Sequence, residues 1–168
     1  VRRGHRVLVV TGGGETVPQF LEAGAEHRTL FLDTSSELNP RLLGAVIGLR
    51  RWVKNEDWQV VHAQTRVTQG VSAAALRGLR VPRVTTCHGF FKTRFLRKRF
   101  PWWGDRVIAI SKAVERHLLA DWRLDPSRVR LIPHGVERTV ADADLPRLRA
   151  RGRSELKVPE AVTVVGAL

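Results

Sequence analysis

Cysteine is almost absent from this 168-residue chain: Cys87 stands alone, so no internal disulfide can form. A single thiol at the end of an apolar run reads as a buried, inert group. Acidic residues are also scarce, 16 against 29 Lys and Arg, which leaves a formal charge of +13. That balance favours an anionic partner such as a phosphate-bearing substrate, an anionic membrane or nucleic acid, although solvated arginines on helix faces need no partner. No apolar run approaches the ~20 residues of a membrane span. No signal peptide is visible either, so the expected location is cytoplasmic. The chain opens on Val1 rather than Met and closes on the apolar run Val162 to Leu168, and it is read as a piece of a longer protein.

What is present describes a globular α/β domain. With 43% hydrophobic and 27% charged residues, punctuated by 14 Gly and 8 Pro, the composition is that of a folded chain with room for one ordinary domain. Short apolar, β-branched runs recur at about 7–10, 29–32, 60–63, 84–87, 107–110 and 129–132. They show no clean polar alternation, as expected of strands covered on both faces. Helices or long crossovers separate them, which predicts a doubly wound, mostly parallel, Rossmann-like sheet. Asn39-Pro40 reads as the start of a helix whose apolar positions Leu42, Val46, Leu49 and Val53 keep helical spacing. Trp52 and Trp58 read as the edge of the core, and His62, inside an apolar run, as a core histidine with a partner.

In such a sheet, ligands gather at the carboxyl ends of the strands. Those ends carry Gly12-Gly13-Gly14, Gln64 with Arg66, His88-Gly89, Ser111 and His134-Gly135. The three glycines do not keep the spacing of a dinucleotide-binding turn, so they signal a tight turn as readily as a phosphate site. An arginine at Arg66 is suited to a phosphate or carboxylate, and Ser111 is placed to cap the following helix. No metal-ligand cluster or Ser-His-Asp order stands out.

Between the fourth and fifth strands lies a basic aromatic stretch, Phe90 to Trp103, with no acid until Asp105. Lys92, Arg94, Phe95, Arg97, Lys98, Arg99, Trp102 and Trp103 suit an anionic membrane surface, the rings entering the headgroup layer while the cations meet phosphate. The same composition also suits single-stranded nucleic acid or an ordinary loop.

Five segments occur together in a familiar order and spacing: Arg3-Gly4-His5-Arg6-Val7, Val60-Val61-His62-Ala63, Val84-Thr85-Thr86-Cys87-His88-Gly89, Gly104-Asp105-Arg106-Val107-Ile108-Ala109-Ile110-Ser111, and Arg130-Leu131-Ile132-Pro133-His134-Gly135-Val136-Glu137. From Arg3 to Glu137 the chain resembles the N-terminal domain of family 4 glycosyltransferases. The resemblance implies one Rossmann-like half of a two-domain GT-B architecture lacking its first strand. Residues 1–140 would form this acceptor-side domain, 141–161 a linker, and 162–168 the start of a truncated donor-binding domain.

It further implies transfer of a sugar from a nucleotide-sugar to an acceptor with retention of configuration, without a metal or other cofactor. The resemblance is to enzymes of lipopolysaccharide or other cell-surface glycan assembly, so a lipid-linked acceptor, an anionic membrane surface and the missing C-terminal domain are the expected partners, and nucleic acid is not. By motif position, His88 with Gly89 would face the cleft near the reacting sugar, Gly12, Gly13 and Gly14 would line it, and Arg66 and Ser111 would lie at its rim. The isolated piece is expected to be inactive. The alternative from another class is a basic Rossmann-like module that binds anionic lipid or nucleic acid without catalysis.

Overall fold

The computed structural model describes residues 1, 3–92, 99–135 and 144–164. Two compact units divide the chain, Val1–Pro133 and His134–Leu168. The first contains β1 (Leu8–Thr11), α1 (Val17–Glu22), β2 (Glu26–Thr29), α2 (Leu42–Asn55), β3 (Val61–Ala63), α3 (Arg66–Ala75), β4 (Arg83–Cys87), β5 (Arg106–Ala109), α4 (Lys112–Ala120) and β6 (Val129–Leu131). All strand pairings are parallel, and a four-stranded sheet runs β3-β4-β5-β6. This is the expected parallel α/β architecture.

Among the described residues β1 pairs only with β2, in a separate two-stranded sheet. Between β1 and β3 runs a groove of about 670 Å³, lined by Leu8 and Val10 on one wall, Val61 and Ala63 on the other, and Leu49, Trp52 and Val71 from the helices. Backbone alternation identifies the groups left facing it. The amides of Glu26 and Leu30 donate to the carbonyls of Val7 and Thr11, so the odd-numbered residues of β1 face β2. Leu8 and Val10 therefore turn their peptide groups toward the groove. In β3, Val61 N donates to Pro82 O, which leaves His62 facing the groove likewise.

The core sits around the four-stranded sheet. Cys87, Val107, Ala109 and Val129 from the strands meet Val114, Leu118 and Trp122 from and beyond α4, with Trp103 set edge-on to Trp122 at 5.5 Å between centroids. Burial of each large apolar side chain contributes roughly 1.5–3 kcal/mol. α2 turns Leu42, Ala45 and Val53 inward and leaves Leu43 and Ile47 in solvent, and α3 answers with Val67, Val71 and Ala75. Ser111 caps α4, its Oγ accepting from Val114 N at 3.2 Å.

Two expected boundaries are corrected. The second strand is Glu26–Thr29, not 29–32, because the chain pairs with β1 through polar residues at an edge. The apolar Leu30 and Leu32 come after it and pack on α2 and α3 instead. Asn39 does not cap α2: its Oδ1 accepts from Arg41 N in a preceding turn, and the helix begins at Leu42.

The second unit contains α5 (Leu145–Glu155), in which no side chain is buried. Arg153 closes its C-terminal end by donating to the carbonyls of Pro159 and Val162, at 2.5 and 2.7 Å. Residues 162–164 are irregular, and the rest of the closing apolar run lies outside the described residues.

Candidate functional site

The carboxyl ends of β3 and β4 bring four polar residues together. β3 delivers His62 and, just beyond its end, Gln64, while β4 delivers Thr86 and, one residue past its end, His88. His62 Nε2 lies 2.7 Å from Thr86 Oγ1. Gln64 Nε2 lies 3.3 Å from His62 Nδ1 and 3.2 Å from Nε2, so the amide rests on that ring rather than pointing at one nitrogen. Gln64 Oε1 then meets His88 Nε2 at 2.9 Å. His62 presents accessible surface to the groove yet is crowded by protein, and this burial, then the neighbouring His88, holds its ring below the usual histidine range.

α3 starts at the same place. Thr65 is its cap, accepting from Thr68 N while Thr68 Oγ1 accepts from Thr65 N. This reciprocal box fixes the exit angle of the chain after Gln64. Gly12, His62, Gln64, Thr65 and Thr68 all line the groove, so the end of β1 borders the same space. Gly13 and Gly14 adopt φ of +102° and +116°, a conformation that side chains disfavour, and Gly13 N donates to Thr11 Oγ1 at 2.9 Å. The triple glycine is thus a tight turn at the groove's edge.

The remaining expected site residues have other neighbours. Arg66 is largely buried and pairs with Glu37, Nε to Oε1 at 2.8 Å and Nη2 to Oε2 at 3.2 Å. Its guanidinium lies 5.6–6.0 Å from the ring centroids of Phe91, Trp102 and Trp122. The expected rim cation is therefore engaged in a structural ion pair beneath aromatic rings. Gly89 offers its carbonyl to Cys87 Sγ at 3.2 Å, and burial pushes that thiol up, which agrees with an inert cysteine. The hydroxyl of Ser111 is occupied at the start of α4.

Of the basic aromatic stretch, Arg94, Phe95, Arg97 and Lys98 lie outside the described residues. Lys92 and Arg99 are exposed, Arg99 lying over Phe100 at 5.3 Å. Trp103 is a correction: 4% exposed, it belongs to the core and not to a membrane-facing surface. Trp102 is half-buried, its ring 3.2 Å from where a Cβ on Gly70 would stand. Arg83 holds this end of the stretch, donating to the carbonyls of Trp102 and Trp103 at 2.7 and 2.8 Å. At the other end His117 Nε2 accepts from Phe91 N at 3.2 Å and Trp122 Nε1 at 3.1 Å, while Nδ1 faces Asp121 at 2.6 Å. Sequence reasoning did not single out His117, Glu37 or Thr86. Only the two-residue spacing of His62 and Gln64 on a strand signalled that they share a face.

The model of the family described as Glycosyltransferase Family 4 matches residues 1–140. No curated protein matches the chain. Among solved structures, a glycosyltransferase from Rickettsia africae superposes with a TM-score of 0.74 at 20% identity, over 96% of this chain and 44% of its own. MurG from Acinetobacter baumannii superposes with a TM-score of 0.55 at 12% identity, over 83% of this chain and 39% of its own. The chain therefore spans less than half the length of either, and at these identities the likeness is one of fold.

Proposed function

This chain belongs to glycosyltransferase family 4, and on that premise we propose that it is the N-terminal, acceptor-side part of a retaining glycosyltransferase. The observation that supports this reading is the cluster at the carboxyl ends of two adjacent parallel strands, where His88 is exposed and oriented by Gln64. A parallel sheet binds ligands at this end.

The reaction proposed is transfer of a sugar from a nucleotide-sugar to a lipid-linked acceptor in cell-surface glycan or lipopolysaccharide assembly. Within it, His88 and Gly89 face the reacting sugar, and the Gly12–Gly14 turn borders the cleft. The nucleotide diphosphate that leaves must be stabilised by cations. Arg66, already paired with Glu37, is poorly placed to supply one, so this task falls to a second domain. No metal or cofactor is part of the proposal. Among the described residues no group of three or more His, Cys, Asp or Glu could hold a metal ion, and no helix is long and apolar enough to cross a membrane. Contact with an anionic membrane rests on the charge of +13 and the exposed Lys92 and Arg99.

The test is a transfer assay on the full-length protein with a panel of nucleotide-sugars and a membrane extract as acceptor source. Product bearing a donor sugar supports the reading. Absence of transfer from every donor, together with salt-sensitive binding to anionic vesicles, would replace it with a binding module.

A further inference from the structure

We propose that His117 is a positioning residue for His88: through an unprotonated Nε2 it fixes the backbone at Phe91, and with it the short turn that carries His88 and Gly89 out of β4. The bearing of this on transfer rests on the reading above, but the arrangement itself can be tested without any activity.

His117 stands in the last turn of α4, its side chain 9% exposed. Its Nε2 receives two N–H groups, the backbone amide of Phe91 at 3.2 Å and the indole Nε1 of Trp122 at 3.1 Å. Neither group can accept, so this nitrogen must carry the lone pair. Nδ1 lies 2.6 Å from Asp121 Oδ2, and a carboxylate accepts, which puts the ring proton on Nδ1. The three contacts agree on one neutral tautomer. Turning the ring over would set C–H groups against all three partners, so the same contacts also fix its orientation.

The bond to Phe91 reaches from α4 back to the segment after β4, across 26 residues of chain. Phe90 rests on the same imidazole, edge-on, with the ring centroids 5.3 Å apart. Trp122, which shares Nε2, belongs to the core beside Val114 and Leu118, so the imidazole is itself tied to the rigid part of the domain. At the other end of the turn Cys87 is fully buried in β4 opposite Ala109, and its Sγ donates to Gly89 O at 3.2 Å. His88 and Gly89 are therefore held between two anchors, the sheet on one side and His117 on the other. Phe91 follows His88 by only three residues, and a displacement of its backbone is passed on to His88.

The experiment is long-range ¹H–¹⁵N correlation of the histidine side chains, with amide spectra and hydrogen exchange, on the 168-residue chain as wild type, His117→Leu and His117→Gln. In the wild type, His117 Nδ1 should show the shift of a protonated ring nitrogen and Nε2 that of an unprotonated one. His117→Leu should speed exchange at the Phe91 amide about fivefold or more and displace the His88 and Gly89 amide signals. His117→Gln, whose side-chain oxygen can stand in for Nε2, should bring both back toward wild type. In the full-length protein His117→Leu should lower kcat about tenfold or more with KM little changed, while His117→Gln stays within a few-fold of wild type. An Nε2–H ring in the wild type, or His88 and Gly89 signals that His117→Leu leaves in place, would overturn the proposal, as would an unchanged kcat for His117→Leu in an active protein. Should His117→Leu fail to fold, His117→Asn, too short to reach Phe91, replaces it with the same expected displacements. A full-length wild type that transfers no sugar would sink the glycosyltransferase reading and leave the spectra to decide this one.

Discussion

Arg83 and Asp105 hold each other by a reciprocal pair of hydrogen bonds. Arg83 N donates to Asp105 Oδ2 and Asp105 N donates to Arg83 O, both at 2.7 Å. The pair lies where β4 begins and just before β5, and it sets the register that carries His88 to the end of the sheet. Gly104 lies beside it so closely that a Cβ would overlap the Arg83 carbonyl. Gly104→Ala is therefore expected to destabilise the protein by about 2 kcal/mol or more, because the clash is with backbone that cannot swing aside. Asp105→Ala should cost about 1 kcal/mol, the value of one exposed but well-aligned hydrogen bond. Urea unfolding followed by tryptophan fluorescence checks both, and equal midpoints for the Gly104→Ala variant and wild type would contradict the close approach.

Glu56 and Glu26 bind Arg28 and Arg6 around β2. Hydrogen bonds from Arg28 to Glu56 and from Arg6 to Glu26 hold both carboxyls below the usual value of 4.5. Since their folded values lie below the unfolded one, the stability they contribute is complete above about 4.5 and is lost as pH falls through the folded values. Wild-type stability should begin to fall as the pH drops below about 4.5 and go on falling as it passes through the lowered folded values, and Glu56→Gln should flatten part of that slope. Unchanged slopes in the variant would show that the network carries no linkage.

The groove between β1 and β3 makes a backbone prediction. The amides of Leu8, Val10 and His62 face it, whereas those of Val9 and Val61 are paired. Hydrogen exchange should therefore be orders of magnitude faster at the first three than at Val107 in the core strand. Slow exchange at Leu8 and Val10 in the 168-residue chain would mean that the groove is already closed.

Core and surface separate within the basic aromatic stretch. Trp103→Ala removes a buried ring from the Trp122 contact and should cost about 3–5 kcal/mol. Lys92→Ala and Arg99→Ala should leave stability unchanged and weaken binding to phosphatidylserine vesicles about fivefold each, about 1 kcal/mol per cation at an anionic surface. Flotation and unfolding assays on the same variants check this, and vesicle binding insensitive to both cations would remove the membrane proposal.

Much of the fold was legible in the sequence because continuous β-branched runs at 84–87 and 107–110 admit few alternatives to buried parallel strands. The second strand was misplaced because β2 is an edge strand whose residues are polar, while the apolar Leu30 and Leu32 that drew attention serve the helices. At the site, position along the strand was enough to flag His88, Gln64 and Arg66 as neighbours of a carboxyl end. It was not enough to show that Arg66 is neutralised by Glu37, 29 residues earlier in the chain. Nor did the composition of the 90–103 stretch distinguish Trp103, inside the core, from Arg99 on the surface. Those distinctions depend on which side chains meet across the fold, and no local pattern carries them.

His88, at the end of β4, is proposed to serve sugar transfer. The most direct test compares full-length wild type with His88→Ala in transfer from the preferred nucleotide-sugar, with folding verified by circular dichroism. Loss of transfer by roughly 100-fold with the fold intact is the expected result. Transfer within a few-fold of wild type in a folded His88→Ala protein would contradict it and move the site away from this pair of strands.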